Sequence, residues 1–140
     1  MLRQSVGQIS VLAQTQGLHE FTRDVSRWLE EQAIRAGLLT LFCRHTSASL
    51  LIQENAALEA RVDLEDYFAR IAPEDHLAYS HDDEGPDDMP SHLRAALTQT
   101  ELSIPVDDGR MMLGTWQGIY LFEHRRRPTL RHIALHLVGE

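Results

Sequence analysis

Cysteine is almost missing from this 140-residue chain: Cys43 stands alone, so no intrachain disulfide framework exists. Its neighbours Leu41, Phe42 and Arg44 suit a partly buried strand, where a structural thiol fits better than a nucleophile. Positive charge is scarce too. Thirteen Lys and Arg against 21 Asp and Glu leave a formal charge of −8, opposite in sign to the surface that nucleic acid or an anionic membrane requires. The one basic run, Arg125-Arg126-Arg127, precedes Pro128 and reads as a solvated turn. No window approaches the roughly 20 apolar residues that cross a bilayer, and Met1 to Val6 lacks the charged-then-apolar succession of a secretory signal. Cytoplasmic location is the expectation. Repeats, low-complexity tracts and Ser/Gly linkers are also missing, so residues 1–140 read as one domain, with 43% hydrophobic content enough for a core. The Walker phosphate loop and the nucleophile elbow are absent, and His19-Glu20 lacks the second histidine of a zincin helix.

Alternation from Val6 to Leu12 predicts an extended first segment. Phe21, Val25, Trp28, Leu29 and Gln32 fall at helical spacing, which predicts a helix over Thr22–Ala36 with Thr22 as cap and Gly37 as its left-handed stop. Leu38 to Arg44 reads as a buried strand, with Ser49 to Gln53 as its continuation after a polar break. Asn55 is placed to cap a second helix with Leu64, Phe68 and Ile71 on one stripe, ended by Pro73. Asp88 or Ser91 is placed to cap a short third helix. Leu102 to Val106 and Met111 to Leu113 flank the tight-turn signal Asp108-Gly109. Ile119 to Phe122 and Thr129 to Val138 read as the last strands, with Ile133, Leu135 and Leu137 on one face and His132 and His136 on the other.

Three segments stand out chemically. In Arg44-His45-Thr46-Ser47-Ala48-Ser49, a histidine and three hydroxyls interrupt an apolar region: either they satisfy a turn, or His45 acts as acid, base or metal ligand while hydroxyls and backbone N–H groups hold an oxyanion. The loop from His81 to Asp88, followed by His92, is either a solvated acidic loop with a capping Asp88 or a divalent-cation site. Imidazole with carboxylate suits zinc or manganese, and carboxylate with water suits magnesium. Gly114-Thr115-Trp116-Gln117-Gly118 is either a bulge that sends Trp116 into the core or a close backbone approach with a stacking face; on residues alone the bulge is the simpler reading. His19, His76 and His124 read as surface residues.

Taken in order, His45-Thr46-Ser47-Ala48-Ser49-Leu50, Glu54-Asn55, Asp63-Leu64, His81, Glu84-Gly85, His92, Ser103-Ile104-Pro105-Val106, Gly109-Arg110 and Leu113-Gly114-Thr115-Trp116-Gln117-Gly118 resemble the YjbQ-like, secondary thiamine-phosphate synthase family. The resemblance implies an α+β fold with a mixed sheet closing toward a barrel and about three helices, assembled as a homotrimer with polar sites near the subunit interfaces. It also implies weak transfer chemistry, joining a pyrimidine pyrophosphate to a thiazole phosphate with release of pyrophosphate. By position it implies His45, His81 and His92 as catalytic residues and Thr46, Ser47, Glu54, Asn55, Trp116 and Gln117 as substrate contacts. A divalent ion, magnesium or zinc, would be held by His45, His81, Asp88 and His92. This chain departs from many members in the acidic loop, where Gly85-Pro86 and Ser91-His92 replace Gly-Asn and Ala-His. The same residues also fit a metal-dependent hydrolase of a small phosphorylated substrate, or a non-enzymatic small-ligand binding protein.

Overall fold

A computed structural model describes residues 1–140. The strands and helices run β1 (Arg3–Ala13), β2 (Gly17–Glu20), α1 (Thr22–Gln32), β3 (Gly37–Cys43), β4 (Ala48–Glu54), α2 (Leu58–Ile71), α3 (Asp88–Leu97), β5 (Glu101–Asp107), β6 (Arg110–Met111), β7 (Gln117–Glu123) and β8 (Thr129–Gly139). They form two sheets, ordered β1-β8-β3-β5-β6 and β2-β7-β4. The α+β fold with three helices and a sheet curling toward a barrel is present. Its strand directions are not mixed: every pairing is antiparallel. A parallel pair needs a long crossover, whereas links such as Asp108-Gly109, both at positive φ, reverse the chain at once.

Period-two patterning sets the core. On β8, Ile133, Leu135 and Leu137 are buried and share one cluster with Val25 and Leu29 of α1 and with Leu50, Ile119 and Leu121 of the second sheet. Each such side chain contributes about 1.5–3 kcal/mol through burial. The opposite face of the first sheet leaves Val6, Leu38 and Phe42 exposed. β7 is buried on both faces, because Tyr120 and Phe122 pack with Leu18 under Leu64 and Phe68 of α2. Ile71, expected on that stripe, is exposed.

Several boundaries differ from expectation. α1 stops at Gln32 because Ala33 turns the chain at φ 53°. Gly37 is required instead at the start of β3, where an added Cβ would lie 2.1 Å from Val138 O. Thr22 does not cap α1 with its side chain; its hydroxyl accepts from Ile119 N–H and donates to Glu20, both at 2.8 Å. Asn55 does not cap α2 either, donating to Glu20 at 3.2 Å while Ala57 holds the cap position. β4 does not continue β3 but belongs to the other sheet, and the short β2 carries no period long enough to be read. No helix is long and apolar enough to cross a membrane.

Candidate functional site

Arg44 to Ser47 carries the chain from β3 in one sheet to β4 in the other, and His124 to Pro128 carries it back from β7 to β8. The two crossings are tied together by His124 N–H to Ser47 O, and Arg44 N–H ties the first of them to His132 O of β8, each at 3.2 Å. Beside this seam opens a cleft of about 900 Å³, whose polar lining includes Arg44, His45, Thr46, Ser47, His92 and Arg131. No carboxylate lines it. Arg44 and Arg131 are its arginines, the second paired from beneath with Glu123, so on a chain of charge −8 the cleft is a local concentration of N–H donors.

His45 is held by a backbone group. Its Nε2 accepts the His132 N–H at 2.8 Å, so the neutral ring carries its proton on Nδ1. Nδ1 stands 3.4 Å from Nη1 of Arg131. Both atoms are then donors, so they do not satisfy each other, and an oxyanion placed between them would accept from both. Burial, reinforced by Arg131 and His132, lowers the His45 pKa and favours this neutral form. Arg131 is itself buried, with Nε and Nη2 donating to the fully buried Glu123 at 2.6 and 2.5 Å and Nη2 reaching Ser47 Oγ at 2.9 Å. Residue reading missed this pair. The available signal was parity: Arg131 shares its face with Ile133 and Leu135, and Glu123 shares its face with Ile119 and Leu121.

A second cluster forms at the start of α3. Asp88, nearly fully buried, places Oδ2 2.7 Å from His81 Nε2 and 3.2 Å from His92 Nε2. His92 Nδ1–H donates to Thr46 O at 2.9 Å while Nε2 bonds Asp88 Oδ2, and a cation shared with Asp88 would take the place of the proton on Nε2. One ligand atom from each of the three lies within 4.8 Å of the others. Two imidazoles and a carboxylate form a donor set suited to zinc or manganese, so these residues fit a divalent ion. The hydrogen bond to Asp88 raises the His81 pKa. Burial pushes the Asp88 carboxyl up, but His81, His92 and Arg125 together hold it below its ordinary value. Of the four expected metal ligands, three converge and His45 does not, because its Nε2 lone pair is already used by the His132 N–H.

The remaining expected contacts lie elsewhere. The pairs Ala48↔Glu123 and Glu54↔Gln117 mark opposite ends of the β4–β7 ladder, roughly 20 Å apart at about 3.3 Å per residue. Glu54, Asn55, Trp116 and Gln117 occupy the end remote from Ser47. Trp116 is 61% exposed rather than packed in the core, and Gln117 accepts the Gly114 N–H at 2.7 Å, closing its own loop.

His124 is not on the surface: it is fully buried, 2.9 Å from Ser49 Oγ, with its pKa driven down to about 3 by burial. Of the basic run, Arg126 and Arg127 are exposed as expected, although Arg126 pairs with Glu74, whereas Arg125 is only partly exposed and pairs with Asp87 and Asp88. Asp88 makes no capping bond, and the Ser91 hydroxyl donates to His124 O at 2.9 Å. Cys43 is the structural thiol expected: it is buried, and burial pushes its pKa up to about 11.

The family described as UPF0047 protein YjbQ-like matches residues 7–140. The chain belongs to this YjbQ-like family. Among its relatives, UPF0047 protein sll1880 of Synechocystis is 46% identical over 138 residues, covering 99% of this chain and 94% of that protein. UPF0047 protein YjbQ of Escherichia coli O157:H7 is 42% identical over 133 residues, covering 94% and 96%. The crystal structure of a YbjQ-like protein of unknown function from Sulfolobus solfataricus P2 superposes with a TM-score of 0.90 at 23% identity over the whole of both chains. The conserved hypothetical protein TT1486 of Thermus thermophilus superposes with a TM-score of 0.80 at 29% identity, covering 92% and 97%. These YjbQ-like relatives establish the family and the fold, and none of their descriptions names a reaction.

Proposed function

We propose that this chain is a divalent-metal-dependent enzyme acting on a small phosphorylated compound. The observation that carries the reading is the pair of facing donors, His45 Nδ1–H and Arg131 Nη1, 3.4 Å apart in a cleft without carboxylates. A phosphate oxygen between them accepts from both, and Glu123 and the His132 N–H hold the two donors in place. His92 lines the same cleft and also belongs to the His81, Asp88 and His92 cluster, so that cluster borders the cleft. An ion held by those three residues, zinc by donor type or magnesium by the family resemblance, would supply Lewis-acid charge to a phosphoryl oxygen.

The finer reading is secondary thiamine-phosphate synthase chemistry. The thiazole nitrogen forms a bond to the pyrimidine methylene as the bond from that carbon to pyrophosphate breaks. A cleft of about 900 Å³ is within the range of small-molecule sites, and its N–H donors suit a departing pyrophosphate. The test is formation of thiamine phosphate from both substrates by purified protein supplied with zinc or magnesium. His45→Ala is expected to lower the rate by about 100-fold; equal rates in wild type and variant overturn the reading. Phosphate release from simple esters without thiamine phosphate identifies the hydrolase instead, and phosphate binding without turnover a ligand-binding protein.

The exposed sheet face bearing Val6, Leu38 and Phe42 supports assembly as a homotrimer, and Phe42 joins that face to the cleft. Sedimentation equilibrium at three times 16.0 kDa is the expected result.

A further inference from the structure

The guanidinium of Arg125 lies in the middle of the acidic loop. Nη1 donates to Asp88 Oδ1, Nε to Asp87 Oδ2 at 3.2 Å, and Nη2 to Glu84 O at 2.9 Å. Its own backbone N–H donates to Glu123 Oε1 at 3.0 Å. The two oxygens of Asp88 are thus divided: Oδ1 belongs to Arg125, and Oδ2 faces His81 and His92. Without Arg125, the carboxylate would be free to rotate about its terminal torsion, which is broad for aspartate. The loop that carries His81 to Asp88 would also lose three anchors at once.

We infer that Arg125 is a positioning residue for the cation site, holding Asp88 with one oxygen presented beside His81 and His92. This rests on the reading of those three residues as cation ligands. Two effects of Arg125 on a bound cation oppose each other. Its positive charge repels the ion, and its three hydrogen bonds orient the ligand and the loop. Five acidic residues between Asp82 and Asp88 already offset the repulsion, and loss of a group that orients a metal ligand typically weakens binding 10- to 100-fold. Orientation therefore sets the sign: removing Arg125 weakens cation binding, although it makes the site more negative. Lysine restores the charge but cannot bond Asp88, Asp87 and Glu84 together, because a compact ammonium replaces a planar fork.

The experiment is titration of metal-free protein with cobalt(II), read by calorimetry and by the visible ligand-field bands. Wild type, R125Q, R125K and R127Q are compared, with circular dichroism to confirm folding. Arg127 is exposed and makes no ion pair, so R127Q applies the same charge change without touching the loop. The expected outcome is cobalt binding 10- to 100-fold weaker in R125Q, with altered bands in both R125Q and R125K and no change in R127Q. Wild-type affinity and bands in folded R125Q, or tighter binding there, overturn the inference while leaving the cation site standing. If R125Q does not fold, unchanged affinity and bands in R125K overturn it in the same way. Wild-type protein that binds no cobalt overturns the cation site and this inference together.

Discussion

Replacing Arg131 with methionine tests the buried ion pair and the anion position in one variant. The substitution removes two bonds to Glu123 and those to Ser47, leaving a carboxylate at 0% exposure whose remaining donor is the Arg125 N–H at 3.0 Å. Breaking a buried pair from one side costs about 3–5 kcal/mol. At roughly 3–4 °C per kcal/mol for a chain of this size, the melting temperature should fall by about 10–20 °C. Removing both charges in the E123L/R131M double variant leaves no orphaned charge, and stability should return to within about 2 kcal/mol of wild type. Binding of inorganic phosphate should not return, because the donor opposite His45 is gone. Thermal melts followed by circular dichroism, with calorimetric phosphate titration of each folded variant, separate the two roles. A single variant melting within about 3 °C of wild type refutes the energetic argument, on the ~3–5 kcal/mol scale above. A double variant that binds phosphate like wild type refutes the assignment of Arg131 to the anion.

Stability should fall with acid through His124, whose ring stays neutral when folded. Its pKa is about 3 in the fold against an ordinary 6.5, so its contribution is complete above 6.5 and is lost as pH falls toward 3, about 5 kcal/mol in all. Urea midpoints measured across that window should vary less steeply in His124→Gln; an unchanged slope contradicts the buried neutral ring. Gly37→Ala should destabilise by about 3 kcal/mol or more by prising β3 from β8, since its Cβ would meet Val138 O at 2.1 Å and Gly139 Cα at 2.8 Å. A urea midpoint equal to wild type would show that the two strands separate at little cost.

Much of the fold could be read from period alone. The inward face of β8, the outward His132 and His136, the Asp108-Gly109 turn and the stripe of Leu64 and Phe68 all follow from two- and 3.6-residue spacing. What spacing cannot say is which sheet a strand joins. β4 looks like an extension of β3 because both are apolar and only four residues separate them; their membership of different sheets is decided by partners distant in sequence, β8 and β7. The site divides along the same line. His81, Asp88 and His92 are near one another in the chain, so their convergence was visible as a local cluster. The anion position depends on His45 meeting Arg131 across 86 residues, and Arg131 hides inside a strand that otherwise reads as core. The ordered family match could not show that Trp116 and Gln117 lie away from His45 within one chain. Motif order records sequence, and the length of the β4–β7 ladder sets distance.

That ladder also explains why the cleft and the cation cluster keep a fixed relation. Glu123, the last residue of β7, and the two residues that follow it each hold a different part. Glu123 neutralises Arg131 beneath the cleft, His124 accepts from Ser91 and Gln16 through its carbonyl, and Arg125 grips Asp88 and the acidic loop. Their order matters because side chains alternate along a strand, and a slip of β7 by one residue would exchange the face of Glu123 and displace the two residues that follow it. Ile119 and Leu121, fully buried in the main core, and Tyr120 and Phe122, buried under α2, make such a slip costly on both sides. The apolar register of β7 is therefore what sets the polar geometry at its end. A substitution there that preserves hydrophobicity but shifts the strand should disturb the anion position and the cation cluster together, while one that alters a single terminal residue should disturb only the group it holds.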